Sequence, residues 1–318
     1  MMSIEPIKIG ISACLLGYPV RYNGGHKESR LCSEVLARHF EFVAVCPEQA
    51  IGLGTPRQPI RLVGDPANPR AVGTVEPALD VSEALTAFGE RTAKRLDDIC
   101  GFILMQKSPS CGMERVKVYL DNGQLAAGGG RGLFAAALMR ARPDLPVEED
   151  GRLNDPVLRE NFITRVFAYS EWQRLQRSGL TRHALIAFHA RYKYQLMASC
   201  SGQYRALGRE VAQSASTPLH VFAPRYFSQL MAALKQPASR GSHSNVLQHL
   251  SGYLKQALSP AEKQELQHLI QQYREGIVPL VVPMTMIKHH FRRHPDIYIE
   301  HQAYMQPHPE SLSLRNAL

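Results

Sequence analysis

A chain of 318 residues with 44% hydrophobic and 20% charged side chains, and with 23 Gly and 21 Pro spread along it, has room for two domains and is too apolar for a disordered or collagen-like protein. Its best apolar run, Ile277 to Met284, is cut by Pro279 and Pro283, so nothing approaches the roughly 18 residues of a membrane-spanning helix. The net charge of +9 is uneven: residues 1–150 carry 17 Lys and Arg against 18 Asp and Glu, whereas residues 151–318 carry 20 against 10 and hold 11 of the 13 histidines. The second half should attract polyanions, the plainer alternative being a solvated basic surface.

In chain order, the apolar run 7–12 predicts a buried strand that turns at Gly17 and Pro19. Ile11-Ser12-Ala13-Cys14 has the look of a lipid-attachment site, but five residues between Lys8 and Cys14 fall short of the about 7 to 15 that a signal segment needs. A cytoplasmic protein is therefore expected, in which six cysteines serve metal or chemistry rather than disulfides. A helix is predicted over 27–39, and a second strand over 42–45 ends at Pro47. The loop with Pro56, Pro59, Pro66 and Pro69 is too long for a connector.

Asp80-Val81-Ser82-Glu83 has the form of a capping box and opens a helix to about residue 98. A third strand is expected at 101–106, a fourth at 116–120, and a helix at 132–140 after Gly128-Gly129-Gly130. This alternation predicts an α/β domain, residues 1–148, built on a doubly wound, mostly parallel sheet. Pro143, Pro146 and Glu148-Glu149-Asp150 read as the linker into residues 149–318. There, apolar spacing of three and four predicts helices near 156–177, 181–198, 218–235, 243–258 and 261–275, an all-α domain.

On this map Cys14 follows the first strand, Cys46 ends the second and Cys111 lies just beyond the third. The carboxyl ends of parallel strands share one edge, where ligands bind, so three thiols distant in sequence become neighbours. No Cys-x-x-Cys pair of the usual zinc form and no clustered ferredoxin spacing is present. Three thiolates on a 4Fe-4S cube leave its fourth iron open, which is a Lewis acid suited to sulfur. Glu48 brings a carboxylate to the same edge, and Lys107-Ser108-Pro109-Ser110-Cys111-Gly112 brings two hydroxyls and a cation. Cys32, Cys100 and Cys200 read as packing residues.

Ile11-Ser12-Ala13-Cys14-Leu15-Leu16-Gly17, Val20-Arg21-Tyr22-Asn23-Gly24, Cys46-Pro47-Glu48 and the Lys107–Gly112 segment together resemble the thiouracil desulfidase family over roughly residues 5–145. Phe188 to Tyr194, Tyr204 to Arg209, Asn245 to His249 and Val282 to Arg293 resemble the YbgA-type helical domain. The two in this order resemble the bacterial desulfidases that remove sulfur from 4-thiouridine in tRNA. The resemblance implies a 4Fe-4S cluster on Cys14, Cys46 and Cys111, a carboxylate role for Glu48, a hydroxyl role for Ser108, and redox-neutral release of sulfide to leave uridine. Competing readings are a desulfidase of free thiouracil or thiouridine and a non-catalytic, cluster-bearing RNA-binding regulator.

In the basic half, His189, Arg191, Tyr192, Lys193 and Tyr194 interleave cations with aromatic rings, which suits phosphate contacts beside base stacking, although aromatics at this spacing also suit a helix core. Arg205, Arg209, Lys288, His289, His290, Arg292 and Arg293 extend the positive charge. The expected partner is tRNA containing 4-thiouridine, with neither a membrane nor an obligate protein partner.

Overall fold

The computed structural model describes residues 6–312, 314–316 and 318. The chain forms two compact units, the first ending at Asn154 and the second beginning at Asp155. The first contains, in order, β1 (Lys8–Ser12), β2 (Glu41–Val45), α1 (Pro47–Ala50), β3 (Ile60–Val63), β4 (Arg70–Gly73), α2 (Ser82–Arg95), β5 (Phe102–Leu104), β6 (Val118–Tyr119), α3 (Leu133–Ala141) and β7 (Val147–Glu149).

The main sheet is parallel throughout, in the order β2-β1-β5-β7. From β1 the chain moves outward to β2, and from β5 it moves the other way to β7. The connections thus diverge between β1 and β5, and the crevice at their carboxyl ends is where such a sheet places its site. The two central strands approach closely because Gly10 lacks a side chain: a Cβ there would lie 2.3 Å from the Phe102 ring.

Four expectations are corrected. The proline-rich loop contains the antiparallel pair β3–β4, its four prolines all lying outside the strands, where no ladder donor is required. The expected fourth strand, β6, pairs with β3 in this second sheet, β4-β3-β6, and not with the main sheet. Fourth place in the main sheet belongs to β7, from the acidic run read as a linker. Glu148, Glu149 and Asp150 are all buried, and each has a partner: Arg152 for Glu148, the Met113 N–H for Glu149 and the Gln106 N–H for Asp150. The helix expected over 27–39 shrinks to the short turns Leu31–Val35 and Leu36–Arg38, because the Lys27 and Ser29 N–H groups instead donate to the Cys14 and Leu15 carbonyls.

The second unit is helical: α4 (Pro156–Arg177), α5 (Arg182–Ser199), α6 (Ser201–Ala212), α7 (Leu219–Leu234), α8 (Arg240–Tyr253), α9 (Pro260–Glu275), α10 (Val281–Arg293) and α11 (Ile297–Glu300). Asp155 caps α4 by accepting from the Val157 and Leu158 N–H groups, with Pro156 in the first turn, and Ser259 with Glu262 closes a capping box on α9. Trp172 of α4 stacks on Phe227 of α7 at 4.7 Å with the ring planes 3° apart. Among the described residues no helix is long and apolar enough to cross a membrane.

Two buried groups, Glu160 and His243, shape the acid response expected of this unit. Burial pushes the Glu160 carboxyl up, but His308 and the Arg315 guanidinium, 3.4 Å away, outweigh it and hold the group at about 2. Burial also lowers His243 to about 4. Both groups take up protons more readily unfolded than folded, so their stabilisation is complete above the unfolded histidine value of 6.5. It falls first as pH drops from 6.5 toward 4 and His243 must stay neutral, then from 4.5 toward 2 as Glu160 must stay charged. Shifts of this size are each worth about 3 kcal/mol. The melting temperature should fall steadily below about pH 6.5, with His243→Gln flattening the upper part of that fall; a flat profile in the wild type from pH 7 to 4 would contradict the assignment.

Candidate active site

Each strand end contributes one thiol. After β1 a single tight turn, Ala13–Leu16, carries Cys14 and is closed by Gly17 in the left-handed region at φ 87°. At the end of β2, Cys46 occupies the cap position of α1, whose first turn carries Glu48. Beyond β5 the loop runs through Lys107, which holds a left-handed φ of 58°, to Ser108, Ser110 and Cys111. All three thiols, with Glu48, Ser108 and Ser110, line one cavity of about 430 Å³.

Cys14 and Cys111 are buried and Cys46 is half-buried. Burial pushes the Cys111 thiol up to about 12 and the Cys14 thiol to about 11, and it also raises Cys46. The charge on Cys46 further disfavours ionisation of Cys14, as that on Cys14 does for Cys111, which is the electrostatic mark of thiols sharing one space. The Cys46 Sγ lies 3.8 Å from the Val20 carbonyl oxygen, and the Ser110 Oγ lies 3.7 Å from the Cys111 Sγ.

A polar chain runs from the cysteine loop to Glu48. Ser110 donates to Glu48 Oε1 at 2.6 Å, and the Ser108 and Ser110 hydroxyls are 3.0 Å apart. The Ser108 Oγ accepts the Cys111 N–H at 3.1 Å. With the Ser110 proton directed at Glu48, Ser108 is the donor between the two hydroxyls, so the chain is polarised toward the carboxylate. On the other side, the Arg57 Nη2 lies 2.7 Å from Glu48 Oε2 and also donates to the Val20 carbonyl at 2.8 Å. This ion pair is largely out of solvent, the side chains being 6% exposed for Arg57 and 16% for Glu48.

The sequence reading missed Arg57, whose only signal was the unusual length of its loop. It also missed the acidic β7 segment. Asp150 accepts the Gln106 N–H at 3.0 Å and Glu149 the Met113 N–H at 2.8 Å, so the two carboxylates hold both ends of the loop bearing Ser108, Ser110 and Cys111. Ser12 helps by accepting the Met105 N–H at 3.0 Å.

In the helical unit the expected contact residues part company. Tyr192 is buried and donates to Glu171 at 2.8 Å, and Tyr194 is also buried in a core, so neither offers a ring face for stacking. The His189 Nδ1 shares a hydrogen bond with the Tyr226 hydroxyl, and Arg191 is held by Glu171 and the His301 carbonyl. Burial takes Tyr192 and Tyr194 out of the stacking role expected of them, while half-buried His189 and Arg191 are engaged by these partners. Buried His290 is likewise withdrawn. Lys288 pairs with Glu310 at 2.5 Å and Arg293 with Glu262 at 3.2 Å, while Arg205, Arg209, His289 and Arg292 are exposed.

A parallel sheet with three thiols, a carboxylate and two hydroxyls around one crevice, followed by a basic helical unit, defines a two-unit protein with a thiol-lined site. The 2-thiouracil desulfurase family matches residues 9–150, and a family described as a protein of unknown function, DUF1722, matches residues 193–309. The uncharacterized protein YbgA of Escherichia coli K12 is 35% identical over 159 residues, 50% of this chain and 94% of that protein. The uncharacterized protein YbbK of Bacillus subtilis 168 is 31% identical over 151 residues, 46% of this chain and 97% of that protein. A solved [4Fe-4S]-dependent thiouracil desulfidase, TudS, is 32% identical, covering 47% of this chain and 94% of its own, with a TM-score of 0.38. The chain belongs to the 2-thiouracil desulfurase family through its first unit and to the YbgA-like DUF1722 family through its second.

Among the described residues no three His, Cys, Asp or Glu gather tightly enough for one metal ion. A polynuclear cluster sets its ligands wider apart than a single ion does, and three soft thiols around one cavity are the donor type that iron–sulfur clusters use. The residues present thus fit such a group.

Proposed function

We propose that the protein removes sulfur from 4-thiouridine in tRNA, giving uridine and hydrogen sulfide, with a 4Fe-4S cluster held by Cys14, Cys46 and Cys111. The observation that carries this reading is the convergence of those thiols on the cavity that also holds Glu48. The cluster, when bound, supplies an iron without a protein ligand as a soft Lewis acid for the thione sulfur. The reaction exchanges C=S plus water for C=O plus hydrogen sulfide, with no net electron transfer.

Glu48 is placed for the proton work. It takes a proton from the water that attacks C4 and returns one to the departing sulfur. Arg57 keeps the carboxylate in position, and the Ser108–Ser110 pair feeds a hydrogen bond into its other oxygen. The Arg57–Glu48 pair is largely out of solvent, which strengthens its attraction.

Arg21, Lys27 and Lys107 also line the cavity, and their charge favours a base carrying phosphates over a free base. The second unit, with 20 cationic against 10 acidic residues from 151 onward, adds binding energy for exposing a base within folded RNA. Two expected results test the substrate. Turnover per unit concentration is higher on thiolated tRNA than on free 4-thiouracil, and tRNA affinity falls at least about tenfold between ~50 and ~200 mM salt. Equal rates on both substrates with a salt-independent affinity would favour a desulfidase of free thiouracil.

A further inference from the structure

The segment expected to bind RNA through Tyr192 and Tyr194 buries both of those rings but leaves Lys193 between them half-buried. Lys193 of α5 has no carboxylate partner among the described residues; its ammonium lies over two rings, 5.5 Å from the centre of Tyr194 and 5.6 Å from that of Tyr298. Tyr253, the last residue of α8, stacks on Tyr298 of α11 with centroids 6.1 Å apart and planes 25° apart. Its hydroxyl lies 3.2 Å from that of Tyr194. The group is graded in depth: Tyr194 is buried, Lys193 and Tyr298 are half-buried, and Tyr253 is 44% exposed.

A large aromatic ring held edge-on in a core has its faces covered, whereas Tyr253 keeps nearly half its surface in solvent while its other contacts fix its orientation. A pre-stacked ring loses little entropy when a further planar group is added. Exposed Lys255, two residues after Tyr253, adds a positive charge close to it in sequence, and exposed His249 lies one helical turn before it; Asp296 and Glu300, each two residues from Tyr298, are the acidic neighbours in sequence. A flat aromatic face flanked by cations matches an unpaired nucleobase with its phosphate, since every base offers a π-face and every nucleotide a negative charge.

We propose that Tyr253 and Tyr298, backed by Lys193, form the surface on which the helical unit stacks an unpaired nucleotide of its RNA. The proposal rests on the reading of RNA as substrate and adds the place of contact. In that account Tyr298 and Tyr194 hold the Tyr253 ring, Lys193 lies over the Tyr298 ring and contributes cation–π attraction and charge, and Tyr253 meets the base.

The test uses the full-length protein with fluorescently labelled thiolated tRNA. Tyr253→Ala is expected to weaken binding about 5- to 100-fold, the range for one lost base stack, appearing in KM more than in kcat. Tyr253→Phe keeps the ring and removes the hydroxyl contact to Tyr194, and is expected to bind as the wild type does. Lys193→Gln should weaken binding and reduce the salt slope by about one. Wild-type affinity in Tyr253→Ala, or equal losses in the Ala and Phe variants, would overturn the stacking surface while leaving the RNA substrate in place. A wild-type protein that fails to bind tRNA even at low salt would overturn both.

Discussion

Cys111→Ser is expected to yield a folded protein that retains no iron–sulfur chromophore and has no desulfuration above that of protein stripped of iron. The thiol is buried at the centre of the loop held by Ser108 and Ser110, and an alcohol at that position remains protonated and is a poor ligand for iron. The fold should tolerate the change, because a serine hydroxyl finds acceptors in the same loop and its cost is on the order of 1 kcal/mol. Cys14→Ser and Cys46→Ser should behave in the same way. Cys32→Ser supplies the contrast: that thiol is buried too but lies away from the cavity, and its variant should keep the cluster. Loss of the chromophore in Cys32→Ser and its retention in Cys111→Ser would reverse the ligand assignment. Because burial raises all three cavity thiols, loading the cluster must displace protons, and uptake of iron and sulfide should improve as pH rises from neutrality.

Glu48→Gln should keep the chromophore and lose about 10²- to 10⁴-fold in turnover, the usual contribution of a positioned acid/base group. Glu48 also forms the buried pair with Arg57, so its loss has a structural cost: an unpaired buried charge is worth about 3 to 5 kcal/mol. The two effects separate in a double variant. Glu48→Gln with Arg57→Met removes the orphaned guanidinium and should recover much of the stability without recovering turnover. Recovery of turnover along with stability would assign Glu48 a purely structural role.

The parallel main sheet and its site edge were legible because β1, β2 and β5 are apolar runs ending at Cys14, Cys46 and the Cys111 loop, and a parallel sheet has one carboxyl edge. The long helices were legible from periodicity and from the caps at Asp155 and Ser259. The hidden parts were hidden for physical reasons. Strands β3 and β4 have only four residues each between prolines, too short for a period to register. Strand β7 and the residue after it carry three acids in a row, and their burial depends on tertiary partners. Arg57, nine positions after Glu48, reaches back to it from a loop beyond α1, a contact that no local pattern encodes. Within His189–Tyr194 the same aromatic spacing serves core packing and base stacking alike, and burial chose the first for Tyr192 and Tyr194.

The most direct measurement is to reconstitute the protein without oxygen, incubate it with thiolated bulk tRNA, and follow the near-ultraviolet band of the thio-base together with released sulfide. The account predicts that the band disappears over many turnovers, with one sulfide released per base converted, and that protein stripped of iron leaves it untouched. A cluster-loaded protein that leaves the band unchanged in tRNA and in free 4-thiouracil alike would contradict it.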